Sequence, residues 1–169
     1  MQLHNSPSTI ESQQSAPQGA IMGMAALEYA RAGLRIFPCM PGKKEPAGRW
    51  KDIATTDEAT IKKWWYERPD ANIGLPMAIN GLVAVDIDTS RGADLGAIPA
   101  GWWQSVVAQS GAAPTDDGRY SFHILFRAKD GAKYLGKLAD HIDIKHDGYI
   151  VAAPSVHPSG NRYEWIRAP

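Results

Sequence analysis

Three short stretches of this sequence each place two polar side chains, of types that carry out chemistry in enzymes, two positions apart. They are Asp86 and Asp88, Ser121 and His123, and Asp143 and Lys145. Apolar neighbours predict a β-strand in each stretch, and side chains two apart on a strand point to the same face of the sheet. If the three strands are neighbours, one face carries three carboxylates, an imidazole, a hydroxyl and an ammonium. These groups outline a site for metal-dependent phosphoryl transfer.

The carboxylates are the candidate catalytic and metal-ligating residues. Asp86 and Asp88 follow an apolar run at residues 82–85, which predicts a strand that is buried until its end. Two carboxylates on one face repel each other unless a cation lies between them, and Mg²⁺ and Mn²⁺ prefer such oxygen ligands. Asp143 adds the ligand that two-metal sites generally need from outside the first pair. Taken alone, the Asp-x-Asp pattern also fits a strand that ends in solvent near a turn.

Hydrogen-bond donors alternate along the second stretch as Arg119, Ser121 and His123. Arg suits bidentate phosphate binding, and a Ser hydroxyl or a His ring nitrogen can donate to a phosphate oxygen. Lys145 could neutralise a phosphate as well. A face of donors opposite a face of carboxylates is what a metal-bound triphosphate requires, so these four residues are the predicted nucleotide ligands. Two plainer interpretations stay open, namely a packed or surface role for His123 and an ion pair between Lys145 and Asp143.

No zinc is expected in this protein. The single cysteine, Cys39, excludes an internal disulfide and a cysteine-rich zinc site, and it points to a reducing compartment. His141, His146 and His157 do not have the spacing of a zinc motif, so turn or surface positions are predicted for them.

Length, composition and charge restrict the function further. The chain has 169 residues, 44% of them hydrophobic, which suits one domain with a proper core. It contains no apolar run of ~18 residues and no secretion signal, so no membrane contact and a cytoplasmic location are expected. Eighteen Lys and Arg balance eighteen Asp and Glu, which does not favour tight binding to nucleic acid. Any basic surface is expected after residue 118, where eight basic residues outnumber five acidic ones.

The candidate residues must be positioned by the helices and strands around them. Helices are predicted early in the chain and strands later, and this order of elements indicates an α+β fold with mixed or antiparallel sheets and flanking helices. Residues 1–18 are rich in Ser, Gln and Pro and predict a flexible lead-in to a domain at residues 19–169. Helices are predicted at residues 21–32, at 55–67 with a capping box of Thr55 and Glu58, and around 102–108. Asn80-Gly81 predicts a hairpin turn. Strands are predicted at residues 34–38, 72–75, 81–88, 120–127, 142–145, 149–152 and 163–166.

The order and wording of these segments resemble the bifunctional primase/polymerase domain of the archaeo-eukaryotic primase superfamily, found in replication proteins of phages and plasmids. The resemblance runs from about residue 25 to residue 165. Its most specific parts are Pro41-Gly42-Lys43-Lys44-Glu45-Pro46 and residues 82–88, 142–155 and 157–165.

The resemblance implies an RRM-like catalytic core in which Asp86, Asp88 and Asp143 hold two divalent ions, Mg²⁺ or Mn²⁺. It also implies that Ser121 and His123 contact the triphosphate of the incoming nucleotide, and Arg119 matches a basic position of some relatives. The sequence departs from the usual pattern of this family at two loops beside the site. Residues 117–121 lack a Ser-Gly-Gly run, and Gly148 stands alone where two glycines are usual. These loops bear on nucleotide affinity and on the choice between ribose and deoxyribose.

The activity that the resemblance implies is template-dependent nucleotidyl transfer by a DNA primase, a DNA polymerase or both, in a prokaryotic host. The partners are then nucleoside triphosphates and single-stranded or primed DNA, bound weakly by the isolated domain. Relatives usually continue into a helical accessory region and often a helicase, so the chain is expected to be a fragment or a minimal version. An alternative function is a metal-dependent nuclease or phosphohydrolase, which could use the same acids but would not need the donors Arg119, Ser121 and His123. A catalytically silent nucleic-acid-binding module would need no aligned carboxylates.

Overall fold

Helices gather at the start of the chain and strands fill the rest, in the computed structural model that describes residues 18–168. The helices of this part are α1 (Gln18–Arg31), α2 (Trp50–Ile53) and α3 (Glu58–Glu67). The strands are β1 (Phe37–Cys39), β2 (Asn72–Pro76), β3 (Leu82–Ile87), β4 (Val106–Gln109), β5 (Phe122–Arg127), β6 (Lys137–Ala139), β7 (Ile142–Lys145), β8 (Tyr149–Ala152) and β9 (Glu164–Arg167). The predicted lead-in lies outside the described residues, apart from Gln18 at the start of α1.

The strands form two antiparallel sheets, which confirms the predicted α+β class. The smaller sheet has the order β1-β2-β8, and the larger has the order β6-β7-β3-β5-β4-β9. Strand β3 therefore lies inside the larger sheet, paired with β7 on one side and β5 on the other. The strands that carry the three motifs are neighbours, as the site hypothesis requires.

The larger sheet is covered on both faces. On one face, Val85 and Ile87 pack with Ile98, Ile124 and Ile142 in an apolar cluster. On the other, β3 and β5 join a cluster that includes the smaller sheet and helices α1 and α3. Alternation along β3 places Asp86 on this second face, so the acid faces the smaller sheet.

The cap of α3 differs from the prediction. Asp57 is the N-cap, and its carboxylate accepts a hydrogen bond from the Thr60 N–H at 2.8 Å. The predicted capping box is wrong, because Thr55 accepts from the Asp57 N–H at 3.0 Å and the Glu58 carboxylate pairs with Arg31. A carboxylate one residue before the helix accepts a hydrogen bond from a free backbone N–H group, and its negative charge interacts favourably with the positive end of the helix dipole.

The predicted hairpin at Asn80-Gly81 is wrong, because β2 and β3 belong to different sheets. A 3-10 helix at Ala78–Asn80 comes between them. The Asn80 amide donates to the carbonyls of Pro76 and Arg35 at 2.8 and 2.9 Å. Gly81 does adopt the left-handed conformation of a turn, with φ of 64°. The local turn signal was therefore correct, and long-range contacts decided where the next strand went.

The region of the predicted helix at 102–108 contains a 3-10 helix at Ala100–Gln104 followed by β4. Val106 and Val107 are β-branched and favour a strand, which β5 and β9 complete on either side. Strands β4 and β6 were not predicted. Among residues 18–168, no helix is long and apolar enough to cross a membrane.

Candidate active site

A row of ionisable side chains crosses strands β3, β5 and β7 of the larger sheet. This charged row consists of Asp86, His123, Asp143 and Lys145. The register places Asp86 on β3 directly opposite His123 on β5 and Asp143 on β7. Residues opposite each other in an antiparallel pair share a face of the sheet. The fold therefore brings together members of all three sequence motifs, and Lys145 joins them two residues along β7.

Two side-chain nitrogen atoms flank the Asp86 carboxylate. His123 Nε2 lies 3.2 Å from Asp86 Oδ1, and Lys145 Nζ lies 3.1 Å from Asp86 Oδ2. Burial alone would raise the pKa of Asp86, but attraction to His123 and Lys145 outweighs burial and holds the pKa well below its usual range. Asp86 is therefore ionised at any physiological pH, as a metal ligand must be.

The space between Asp86 and Asp143 suits a cation. Lys145 Nζ lies between them, 3.1 Å from one carboxylate and 3.8 Å from the other. Within the described residues, no group of three or more His, Cys, Asp or Glu side chains is arranged as a metal site. The donors present are nevertheless the hard oxygen ligands that Mg²⁺ and Mn²⁺ prefer, and a lysine ammonium already occupies a cation position between them. These residues fit a divalent ion if Lys145 moves aside.

His123 is held in a tightly enclosed position. Its side chain is 8% exposed, and its ring stacks on Tyr163 with centroids 6.0 Å apart and planes 21° apart. With Nε2 on Asp86, Nδ1 is left as the one buried side-chain nitrogen or oxygen in residues 18–168 that has no hydrogen-bond partner in the protein. Buried polar atoms are normally paired, so this nitrogen is an exception within the described residues.

Asp88 comes directly after β3, and Ser121 comes directly before its neighbour β5. The Ser90 hydroxyl donates to Asp88 Oδ1 at 2.6 Å. Ser121 is buried just before β5, and its Oγ is 3.2 Å from Thr89 Oγ1. Ser121 thus connects the start of β5 to the turn that carries Asp88.

The structure places Arg119 apart from the carboxylates of the row. It lies in the turn before β5, where its Nε is 2.9 Å from Asp117 Oδ2 and its side chain is half exposed. The predicted alternation therefore starts at Ser121 rather than at Arg119, because the chain turns at residues 115–119 before the strand begins.

The row opens into a cleft of about 910 Å³ between the two sheets. This volume is within the range of small-molecule sites, which is ~300–1,000 Å³. Asp86, His123 and Lys145 line it from the larger sheet, while Trp50 and Tyr149 line it from the other side. The sequence reasoning did not select Trp50 or Tyr149. Nothing local marks two aromatic residues so far apart in the chain as neighbours.

The fold and the site define an α+β protein with a charged row at the floor of a cleft between two antiparallel sheets. A family model described as bifunctional DNA primase/polymerase, N-terminal (Prim-Pol), matches residues 26–169. The match covers most of the chain, and the chain belongs to this family. No curated protein matches the sequence. Membership supports a nucleotidyltransferase of the primase/polymerase type in DNA replication, with nucleotide and DNA substrates, in a family that generally depends on divalent metals.

Proposed function

We propose that this chain catalyses template-dependent nucleotidyl transfer, as a DNA primase, a DNA polymerase or both, in phage or plasmid replication. A 3′-hydroxyl attacks the α-phosphorus of a bound nucleoside triphosphate, the bond to the β-phosphate oxygen breaks, and pyrophosphate leaves. The observation that carries the proposal is the row of Asp86, His123 and Asp143 across three neighbouring strands, of which Asp86 and His123 line a cleft of nucleotide size. Residues 19–169 are the proposed catalytic domain, and an accessory or helicase region is the proposed partner.

Asp86, Asp88 and Asp143 are the proposed ligands of two divalent ions. When bound, Mg²⁺ or Mn²⁺ supplies activation of the hydroxyl nucleophile and neutralisation of the charge on the leaving group. Asp86 and Asp143 already flank a cation position, as the Lys145 distances support. Asp88, in the turn after β3, is proposed to complete the set, and its carboxylate accepts a hydrogen bond from Ser90.

Lys145, His123, Ser121 and Arg119 are the proposed contacts of the triphosphate. Lys145 would exchange Asp86 for a phosphate oxygen, which keeps its charge paired. His123 lines the cleft, and its Nδ1 has no hydrogen-bond partner within residues 18–168. Arg119 has only a half-exposed ion pair with Asp117 to give up, and such pairs contribute little to stability, about 0–1 kcal/mol.

A single assay tests this function. The chain is incubated with labelled nucleotides in Mg²⁺ or Mn²⁺, with a primed template in one reaction and an unprimed template in another. Extension or initiation supports the proposal. Shortening of the nucleic acid without synthesis would instead support the nuclease alternative, and binding without any reaction would support the silent module.

A further inference from the structure

Three aromatic rings form a connected cluster on the cleft wall that faces the charged row. The Phe37 ring stacks on Trp50 with centroids 5.8 Å apart and planes 23° apart. Tyr149 meets both rings edge-on, at 5.0 Å from Phe37 and 5.5 Å from Trp50. Phe37 is fully buried, whereas Trp50 and Tyr149 are half-buried and line the cleft.

The cluster is supported from behind. A Cβ at Gly74 would lie 2.3 Å from Cζ of Phe37, so only glycine at this position of β2 leaves room for the ring. The Tyr149 hydroxyl donates to the Lys44 carbonyl at 3.0 Å, which fixes the ring and anchors the loop before α2. Trp50 and Tyr149 are therefore held in place while their accessible surfaces stay in the cleft.

The rings and the charged row are close enough for one ligand to contact both. Tyr149 follows Lys145 by four residues, so their Cα atoms are at most ~14 Å apart. An extended nucleoside triphosphate covers such a span. Its phosphates would lie toward Lys145 and His123, and its base would then reach the aromatic wall.

We propose that Trp50 and Tyr149 form the stacking site for the base of the incoming nucleotide. This inference rests on the proposed function, since it assumes that the charged row binds the triphosphate. Stacking on aromatic rings tolerates any base, because every base has a π-face. That tolerance suits an enzyme whose choice of base is set by a template. Lys51 Nζ lies 5.4 Å from the Trp50 ring centroid, and an exposed cation–π contact of this kind is weak enough for a base to displace.

The test compares two probes on the wild-type chain and on Trp50→Ala in the presence of Mg²⁺. The probes are a non-hydrolysable deoxynucleoside triphosphate and inorganic tripolyphosphate, and the measured quantity is the Kd of each. We expect Trp50→Ala to weaken nucleotide binding roughly 5- to 150-fold, the equivalent of one lost stacking contact. The Kd for tripolyphosphate should not change, which also shows that the variant keeps a folded site.

Two matched variants sharpen the result. Trp50→Phe keeps an aromatic face and should retain most of the nucleotide affinity. Tyr66→Ala removes an aromatic side chain that is 88% exposed outside the cleft, and it should leave both affinities unchanged.

Three outcomes would overturn the inference. The first is an unchanged nucleotide Kd in Trp50→Ala. The second is equal weakening of nucleotide and tripolyphosphate. The third is weaker binding of a short single-stranded oligonucleotide with unchanged nucleotide binding, which would assign the rings to the template. If the wild-type chain binds no nucleotide, the proposed function fails as well, and that result is distinct from the other three.

Discussion

At the scale of single residues, Asp86 retains a negative charge although it is largely removed from water. Its side chain is 26% exposed, and the attraction of His123 and Lys145 outweighs the cost of burial. Buried charges are stable only with such partners. A metal-bound triphosphate would rearrange the contacts among Asp86, His123 and Lys145. The proposed chemistry therefore depends most on Asp86, which contacts both of the others.

We predict that Asp86→Asn reduces primer extension by on the order of a hundredfold or more, because the neutral amide is a weaker ligand for a divalent ion than the carboxylate that it replaces. Asn has the same shape, so the fold should survive. Asp70→Asn removes an exposed acid outside the cleft and is the matched control. Extension rates of the two purified variants measure the effect. Equal rates would contradict the central place given to Asp86.

His123→Ala should weaken the use of nucleotide more than the binding of template, because the proposed partner of His123 is the triphosphate. A charge-assisted donor contributes roughly 1.5–3 kcal/mol, so kcat/KM for nucleotide should fall about tenfold to a hundredfold. Steady-state kinetics at saturating template measure this value. His141→Asn, at an exposed position outside the cleft, serves as the comparison. Weaker DNA binding with unchanged nucleotide kinetics would give His123 a template role.

Cys39 should be unreactive in the folded protein. Burial in β1 raises the pKa of its thiol to about 12, whereas a cysteine in an unfolded chain has a pKa of about 8.5. Because the unfolded chain releases its proton first, this residue's contribution to stability is lost as pH rises from about 8.5 to about 12. Alkylation at pH 8.5 should be much slower without urea than with it. Cys39 is the only cysteine of the chain, so the rate has one source, and equal rates would refute the burial.

At the scale of elements, β3 positions the site through its register with two neighbours. A slip of one residue would turn Asp86 to the opposite face, into the apolar cluster of Val85 and Ile87. The burial of those two side chains therefore also fixes the direction of the carboxylate. The register of β2 with β8 positions the opposite wall of the cleft in a similar way, because β2 carries Gly74 and β8 carries Tyr149.

Gly74→Ala should destabilise the protein, since the added methyl group collides with the buried Phe37 ring. Such overpacking costs about 1–3 kcal/mol, which corresponds to a fall in Tm of roughly 2–12 °C in a chain of this size. Thermal unfolding of the variant measures it. Gly101→Ala is the control, because a Cβ there meets nothing within 4 Å. Equal Tm values for the two variants would show that Phe37 moves aside freely.

At the scale of the whole molecule, two sheets enclose a cleft while the surface carries little net charge. The 18 basic and 18 acidic residues cancel, and the excess of basic residues after position 118 is only three. Charge of this kind favours a small charged ligand in the cleft over a long polyanion along the surface. A net charge near zero therefore provides little long-range attraction for a DNA backbone.

We therefore expect free single-stranded DNA to bind this chain weakly and with a shallow salt dependence. Each neutralised phosphate contributes about −0.7 to −0.9 to the slope of log K against log salt, so a magnitude of about 3 or less is expected. Titrations of a labelled oligonucleotide between low and physiological salt give the slope. Nanomolar affinity with a steep slope at physiological salt would reveal a basic surface that the net charge conceals.

The local pattern of the sequence was enough to predict most strands and the side chains they project. Alternation around Asp86, His123 and Asp143 depends only on the geometry of one strand, and that geometry is the same in any fold. Motif order and wording also identified the family, which the match over residues 26–169 confirms. Local turn chemistry was less reliable. Asn80-Gly81 does turn, yet the strand that follows it, β3, belongs to another sheet than β2.

Only the tertiary structure decided which side chains meet. It joined Asp86 to His123 and Lys145, and it placed Ser121 against Thr89. It also brought Trp50 and Tyr149 together on one wall of the cleft, although 98 residues separate them in the chain. The physical reason is that side-chain direction follows from neighbouring residues, whereas contact follows from strand order and register. Those are set by burial of apolar surface over the whole molecule, which no short stretch of sequence contains.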